Sequence, residues 1–238
     1  MTRDPARVSD QTSMSDQAAW LLAIDSSSEQ AGLALFNGIH ITELSWPAGR
    51  SQTTMLLAAI HQILTMHQLE PTGISAVAVA VGPGPFSGLR VGLSVAKGLV
   101  LGLDIPIVGV PTLEAAAVPY AAGTATVVPL VPAGRGRIVW SAYGRANGRW
   151  AELAPPRNST IDDLIDDLPG AETVIVSGEV DAGQEQRLLA VDRVRLPPPG
   201  LRARRPGAVA SLAWNRLATG DTDDPGSLQA IYAGREQS

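Results

Sequence analysis

Cysteine is absent from this 238-residue chain. That excludes a disulfide framework, a thiolate nucleophile and any zinc or iron–sulfur site held by thiolates. Histidine is nearly as scarce, with His40, His61 and His67 the whole supply. His61 and His67 stand six apart on one predicted helix, hence on different faces, whereas a metal-binding pair needs a spacing of three or four. Aromatic residues are 4% of the chain, so Leu, Val, Ile and Ala must build the core. Lysine occurs once, at Lys97, a bias that GC-rich coding accounts for. No run reaches the roughly 18 uninterrupted apolar residues of a membrane span. Residues 1–19 are polar and mixed in charge, without the apolar stretch of a secretory signal. They read as the disordered tail of a cytoplasmic protein, with Met14 a second candidate start.

What remains is a chain built to fold. Hydrophobic residues make up 45% and charged residues 17%, outside the disordered class. The net charge of −5 argues against a surface devoted to nucleic acid. Trp20 to Ile24 is an apolar run of the kind a buried strand shows, and Asp25-Ser26-Ser27-Ser28 ends it in a polar turn. Ala31 to Phe36 resumes as a strand, Asn37-Gly38 is a strong hairpin signal, and Ile39 to Ser45 pairs back. A helix is predicted from Thr53 to His67, with Ser51 as N-cap. Ile74 to Val81, apolar almost throughout, reads as a central parallel strand. A glycine–proline loop, Gly82 to Phe86, leads into a long helix from Ser87 to Leu103, a strand from Ile105 to Val110 and a helix from Leu113 to Ala122.

The second half starts the same way. Strands are predicted over Thr126 to Val131, Arg137 to Tyr143 and Arg149 to Leu153. A helix capped by Ser159 or Thr160 runs through Leu168. A strand over Glu172 to Ser177, a helix over Gln184 to Ala190 and a strand over Arg193 to Leu196 follow. Pro206 suits the first position of a last helix reaching Ala218. Two three-stranded meanders, each followed by helix–strand units, point to an internal duplication, with a ligand cleft between the halves. The expected divisions are residues 1–19, 20–108, 109–220 and an irregular tail, 221–238.

Three features could carry chemistry. The acidic turn at Asp25, Ser26 and Ser27 is placed where phosphate and magnesium are held in some ATPases; the alternative is an ordinary polar turn. Pro83 and Pro85 remove backbone donors from the glycine–proline loop, so it is read as a stiff turn rather than a phosphate cradle. In the helix after it, Gly88, Gly92 and Ala96 recur every four residues, and Gly98 and Gly102 form a second notch. Glycine inside a helix costs about 1 kcal/mol relative to alanine, and close approach of another backbone is the expected compensation. The preceding helix carries Leu56, Leu57, Ile60, Ile63 and Leu64 on one side, extended by Met55, Ala58, Ala59 and Met66. Helices this apolar are covered on more than one side. One side faces a sheet; the other faces a partner, unless both are core helices of a large α/β domain. Finally, Asn158 to Gln186 holds eight acids and no base, whereas Arg187 to Arg205 holds six arginines and one acid. The arginines either pair with that acidic neighbour or form a strip for RNA phosphates.

Leu21-Leu22-Ala23-Ile24-Asp25-Ser26-Ser27-Ser28, Val79 to Gly92 with its Gly82-Pro83-Gly84-Pro85-Phe86-Ser87-Gly88-Leu89-Arg90 core, Ala96-Lys97-Gly98-Leu99 and Asp104 to Val110 together resemble the bacterial TsaB (YeaZ) family. The match is good over about residues 20 to 120 and loose beyond. The resemblance implies an α/β, two-lobed actin-like (ASKHA, RNase H-like) fold. It implies a non-catalytic scaffold for a catalytic paralogue, TsaD, in making N6-threonylcarbamoyladenosine at position 37 of ANN-reading tRNAs. The ATPase TsaE joins that complex, a homodimer forms when the protein is alone, and tRNA contact is indirect or weak. The partner surface is expected on the two apolar helices, at Met55, Leu56, Ala59, Ile60, Ile63, Gly88, Leu89, Gly92, Leu93 and Ala96. No cofactor is expected; ATP at Asp25, Ser26 and Ser27 belongs to the alternative of a nucleotide-binding ASKHA enzyme. Older usage groups the family with M22 peptidases, but no metal-ligand set is present here. The chain departs from the family pattern at Arg50-Ser51-Gln52-Thr53-Thr54, which lacks its His and acid, and at Pro132-Ala133-Gly134-Arg135, which lacks an Asp. Ile231-Tyr232-Ala233-Gly234-Arg235 resembles the family's Tyr-Leu-Arg ending.

Overall fold

Strand β1 (Trp20–Asp25) runs beside β2 (Gln30–Phe36), which turns into β3 (Ile41–Pro47). The computed structural model describes residues 19–48 and 52–232. The predicted tail through residue 18, the Ser51 cap, the Arg50-Ser51 stretch and the ending after Tyr232 lie outside the described residues. Helix α1 (Gln52–Met66), β4 (Ile74–Gly82), α2 (Phe86–Leu103), β5 (Ile107–Pro111) and α3 (Thr112–Ala117) follow. The first sheet has the order β3-β2-β1-β4-β5. The meander is antiparallel, while β1–β4 and β4–β5 are parallel.

The second unit repeats the scheme with β6 (Thr126–Gly134), β7 (Arg137–Ala146), β8 (Arg149–Ser159), α4 (Ile161–Asp166), β9 (Val174–Gly178), α5 (Ala182–Leu189) and β10 (Val194–Arg195). Its sheet order is β10-β9-β6-β7-β8, the same sequence of first, second, third, fourth and fifth strands read from the other edge. Two copies of this mixed sheet with flanking helices make the two-lobed actin-like fold that was expected. Short α6 (Pro199–Arg202) and α7 (Pro206–Leu217) end the regular structure.

Alternation along β1 splits its side chains between two layers. Leu22 and Ile24 join Leu33, Leu35, Val77 and Val79 under Leu56, Ile60 and Ile63 of α1 and Ala96 and Val100 of α2. Leu21 and Ala23 face the other way, with Ala34, Ala78 and Ala80, against Val209, Ala210 and Ala213 of α7. Each fully buried Leu or Ile contributes about 1.5–3 kcal/mol, so both layers matter. Helix α7 therefore packs on the first sheet although it follows the second in sequence. The expected division at 108/109 falls inside β5.

Other departures have local causes. The predicted helix over Leu113 to Ala122 ends at Ala117 and continues as a tight turn, Val118–Tyr120, because Pro119 has no amide to donate. Strand β8 continues past Pro155 and Pro156 to Ser159. It is an edge strand, and its pairing jumps from Ala142↔Ala154 to Trp140↔Arg157, so both prolines sit in an irregularity where no ladder bond is lost. The Asn37-Gly38 turn is wider than expected: Phe36 pairs with Ile41, and Asn37 Oδ1 accepts the amides of Ile39 at 3.1 Å and His40 at 2.7 Å.

Candidate functional site

The two segments that the sequence singles out, the acidic turn and the glycine–proline loop, are packed on each other. Ser26 Oγ donates to the Gly88 carbonyl of α2 at 2.9 Å. A Cβ at Gly84 would lie 2.2 Å from the Ser27 carbonyl, and one at Gly92 would lie 2.1 Å from Ser26 Oγ. The turn is closed off as a result: Asp25 is 3% exposed, and Ser26, Ser27 and Ser28 are equally buried.

Both oxygens of Asp25 are committed. Oδ1 accepts from the Ser27 amide at 3.0 Å and the Ser27 hydroxyl at 2.5 Å. Oδ2 accepts from Arg204 Nε at 3.3 Å, and a second guanidinium nitrogen lies 3.6 Å from Glu179. A buried cation stands where a magnesium–phosphate ligand of Asp25 would have to be. Asp25, Ser26 and Ser27 therefore do not fit a nucleotide-bound metal in this arrangement. Among the described residues no group of three or more His, Asp or Glu is placed to hold a metal ion. The sequence does not single out Arg204, which stands there as one member of a run of arginines.

The arginines of that strip have intrachain partners. Arg187 pairs with Asp162 at 2.7 Å, Arg202 with Glu185 at 2.8 Å, Arg205 with Glu43 at 2.7 Å. Arg193 and Arg195 donate to backbone carbonyls. All six arginines thus have partners within the chain, but only Arg187, Arg202 and Arg204 meet acids of the 158–186 segment.

The expected interface residues divide sharply. Leu56, Ala59, Ile60, Ile63, Gly88, Leu89, Gly92 and Ala96 are buried within the protomer, Leu93 is half-buried, and only Met55 is exposed. The division has a simple cause. The glycine stripe of α2 is a seat for the chain's own Asp25 turn, and the large α1 residues cover β1 and β4. Besides Met55, the large apolar residues exposed on the helix pair include Leu57 at 53% and Met66 at 59% exposure on α1, and Leu101 at 73% on α2. Gly98 and Gly102, the second notch, have no heavy atom within 4 Å of an added Cβ. Helix α2 is by length and composition long and apolar enough to cross a membrane; here its inner face is packed against the first sheet.

Between the lobes lies a crevice of about 980 Å³, walled by Arg90, Ser94 and Lys97 of α2, by Pro132–Gly134 and Glu179 of the second lobe, and by the terminal segment at Leu228–Tyr232. A smaller cavity of about 290 Å³ holds Glu114, Tyr143 and Glu152. Burial pushes the Glu114 carboxyl above its usual range; Arg216 opposes this and Glu152 adds to it. Burial, then Glu152 and Glu114, push the Tyr143 phenol up as well. The folded chain thus holds the Glu114 proton more tightly than the unfolded chain does. That contribution to stability is complete below the ordinary glutamate range and is lost as pH rises through the raised value. Glu114→Gln is accordingly expected to raise the thermal midpoint at pH 7 to 8 and to leave it unchanged near pH 4, in melts followed by circular dichroism.

Comparison with known proteins agrees with this geometry. The family model described as TsaD, tRNA N6-adenosine threonylcarbamoyltransferase, matches residues 47–191. The tRNA threonylcarbamoyladenosine biosynthesis protein TsaB of Escherichia coli K12 is 35% identical over 133 residues, 55% of this chain and 58% of the relative. The protein of the same name from Bacillus subtilis 168 is 31% identical over 149 residues, 62% of this chain and 65% of the relative. The matched stretch therefore spans under two thirds of either relative. The solved YeaZ of Pseudomonas aeruginosa superposes with a TM-score of 0.76 at 22% identity, over 90% of this chain and 100% of that one, which is a likeness of fold. With that family model matching more than half of its length, the chain belongs to the family the model describes, and the relatives it resembles carry the name TsaB.

Proposed function

We propose that this chain is a non-catalytic subunit in the synthesis of N6-threonylcarbamoyladenosine at position 37 of ANN-reading tRNAs. It docks a TsaD-like catalytic paralogue through the outer side of α1 and α2, a TsaE-like ATPase joins through that paralogue, and the setting is cytoplasmic. Alone, the same face pairs with a second copy. No cofactor belongs to the chain itself, and tRNA contact is indirect.

The observation that supports this reading is the number of large apolar side chains left exposed on the helix pair, Met55, Leu57 and Met66 on α1 and Leu101 on α2, the last near the open Gly98 and Gly102. The closed Asp25 turn supports the non-catalytic part, because its carboxylate already has a guanidinium partner.

Leu57→Glu together with Leu101→Glu is expected to abolish co-purification with the TsaD-like paralogue while shifting the thermal midpoint by less than about 2 °C, since surface changes cost within about 0.5 kcal/mol. Survival of the complex in the double variant would place the interface elsewhere. Gel filtration of the same variant reads the homodimer separately. A calorimetric titration with Mg-ATP is expected to give no binding.

A further inference from the structure

Among the described residues past α7 there is no helix or strand, yet the segment returns to the first sheet and docks there. Asp223 donates its amide to the Ile107 carbonyl at 2.9 Å, accepts the Gly109 amide at 2.8 Å and meets Arg216 at 3.3 Å. Asp224 then organises a turn, accepting the amides of Gly226 at 3.2 Å and Ser227 at 2.9 Å. Leu228 enters the α1/α2 core, and a Cβ at Gly109 would come within 2.7 Å of it. Ile231 donates its amide to the Val81 carbonyl at 2.7 Å. Gly82, at φ +111°, leaves room for the Ile231 carbonyl, which a Cβ there would approach to 2.2 Å. Tyr232 packs on the Phe86 ring at 4.9 Å between centroids, and its hydroxyl accepts from Arg90 Nε at 3.3 Å.

The Ile231 contacts fall at the carboxyl end of β4, at Val81 and Gly82, whereas Asp223 is anchored farther back, on Ile107 and Gly109 of β5. In open α/β sheets the carboxyl end is where ligands bind. Here the chain's own tail lies in the place. Leu228 and Tyr232 line the larger crevice, while Ile231 lines the smaller cavity with Glu114 and Tyr143, so the segment separates the two.

The two ends of the segment are held unequally. Asp223 has an ion pair and two backbone bonds. The five residues Leu228–Tyr232 have two backbone bonds, from the Leu228 amide to Asp224 and from the Ile231 amide to Val81, with a side-chain bond to the exposed Arg90, and Ile231 is itself at the surface. Segments with few buried contacts open well below the global unfolding free energy.

We propose that Leu228–Tyr232 is a displaceable plug, which keeps the interlobe crevice closed from within and hinges on Asp223. Its release joins the two cavities and frees Arg90 from Tyr232. This inference stands independently of the partner reading.

Hydrogen exchange of the full chain, read by mass spectrometry, tests it. The amides of Leu228–Tyr232 are expected to exchange about a hundredfold faster than that of Val79 in β4. Tyr232→Ala, and separately Leu228→Ala, are expected to speed exchange across Gly82–Leu89 about tenfold and to leave β7 unchanged. If the segment exchanges only with global unfolding, it is a fixed part of the core and not a plug. If neither variant changes Gly82–Leu89, it covers nothing.

Discussion

Arg204→Met is expected to cost the fold about 3–5 kcal/mol, because it leaves Asp25 buried beside no cation. The size follows from where the pair sits. The Arg204 and Asp25 side chains are 3% and 5% exposed, so water cannot take over from the missing guanidinium. Ser27 still donates two bonds to Oδ1, which keeps the loss at the lower end of that range. Asp25→Ala does comparable damage from the other side: Arg204 then keeps only Glu179 at 3.6 Å, and two of its nitrogens already lack a hydrogen-bond partner. The double variant Asp25→Ala, Arg204→Met removes both charges and is expected to recover more than half of either loss, since apolar replacement of a buried pair is often neutral. Denaturant titration with an unchanged slope measures all three. A loss below about 1 kcal/mol for Arg204→Met, the level of an exposed pair, would mean that the turn is open to water. It would also return Asp25 to the list of candidate phosphate-site residues.

The same pair marks the limit of what the linear sequence carries. The central strands are legible because β1 and β4 are apolar on both faces, and only a strand covered twice is so. The first meander is legible from turn chemistry at Asn37-Gly38. Helix α7 is legible as a helix from Pro206 onward, but its sheet is not, since chain order does not say which layer a helix returns to. A signal existed: Ala23, Ala34, Ala78 and Ala80 make one face of the first sheet too shallow for anything but a closely packed helix, and Ala210 and Ala213 of α7 match it. Asp25 is legible as special, yet its partner stands 179 residues downstream, within a run of arginines that looks uniform. The glycine stripe is legible as a seat for a backbone. Nothing in its spacing tells the chain's own turn from another molecule.

The last of the large effects separates those two kinds of seat. Gly92→Val is expected to destabilise the isolated protein by about 3 kcal/mol. Its Cβ would stand 2.1 Å from Ser26 Oγ and 3.5 Å from Ile24, so Ser26 must give up its bond to the Gly88 carbonyl, a buried loss of about 1–3 kcal/mol, and the branched side chain adds overpacking of similar size. Gly98→Ala, six residues along the same helix, is expected to do the opposite and stabilise by about 1 kcal/mol, the helix-propensity gain where a Cβ meets nothing. Both values come from thermal or denaturant unfolding of the protein alone. The partner assay then inverts the ranking of directness. Gly98→Leu keeps the fold and puts bulk on the outer face beside Leu101, so it lowers affinity for the paralogue without lowering stability. Gly92→Val loses the complex only in proportion to the protein it unfolds, and binding per folded molecule stays at the wild-type level. Were Gly92→Val to fold normally and still fail to bind, the inner stripe would be the docking surface, and the Asp25 turn would have to move aside when the partner arrives.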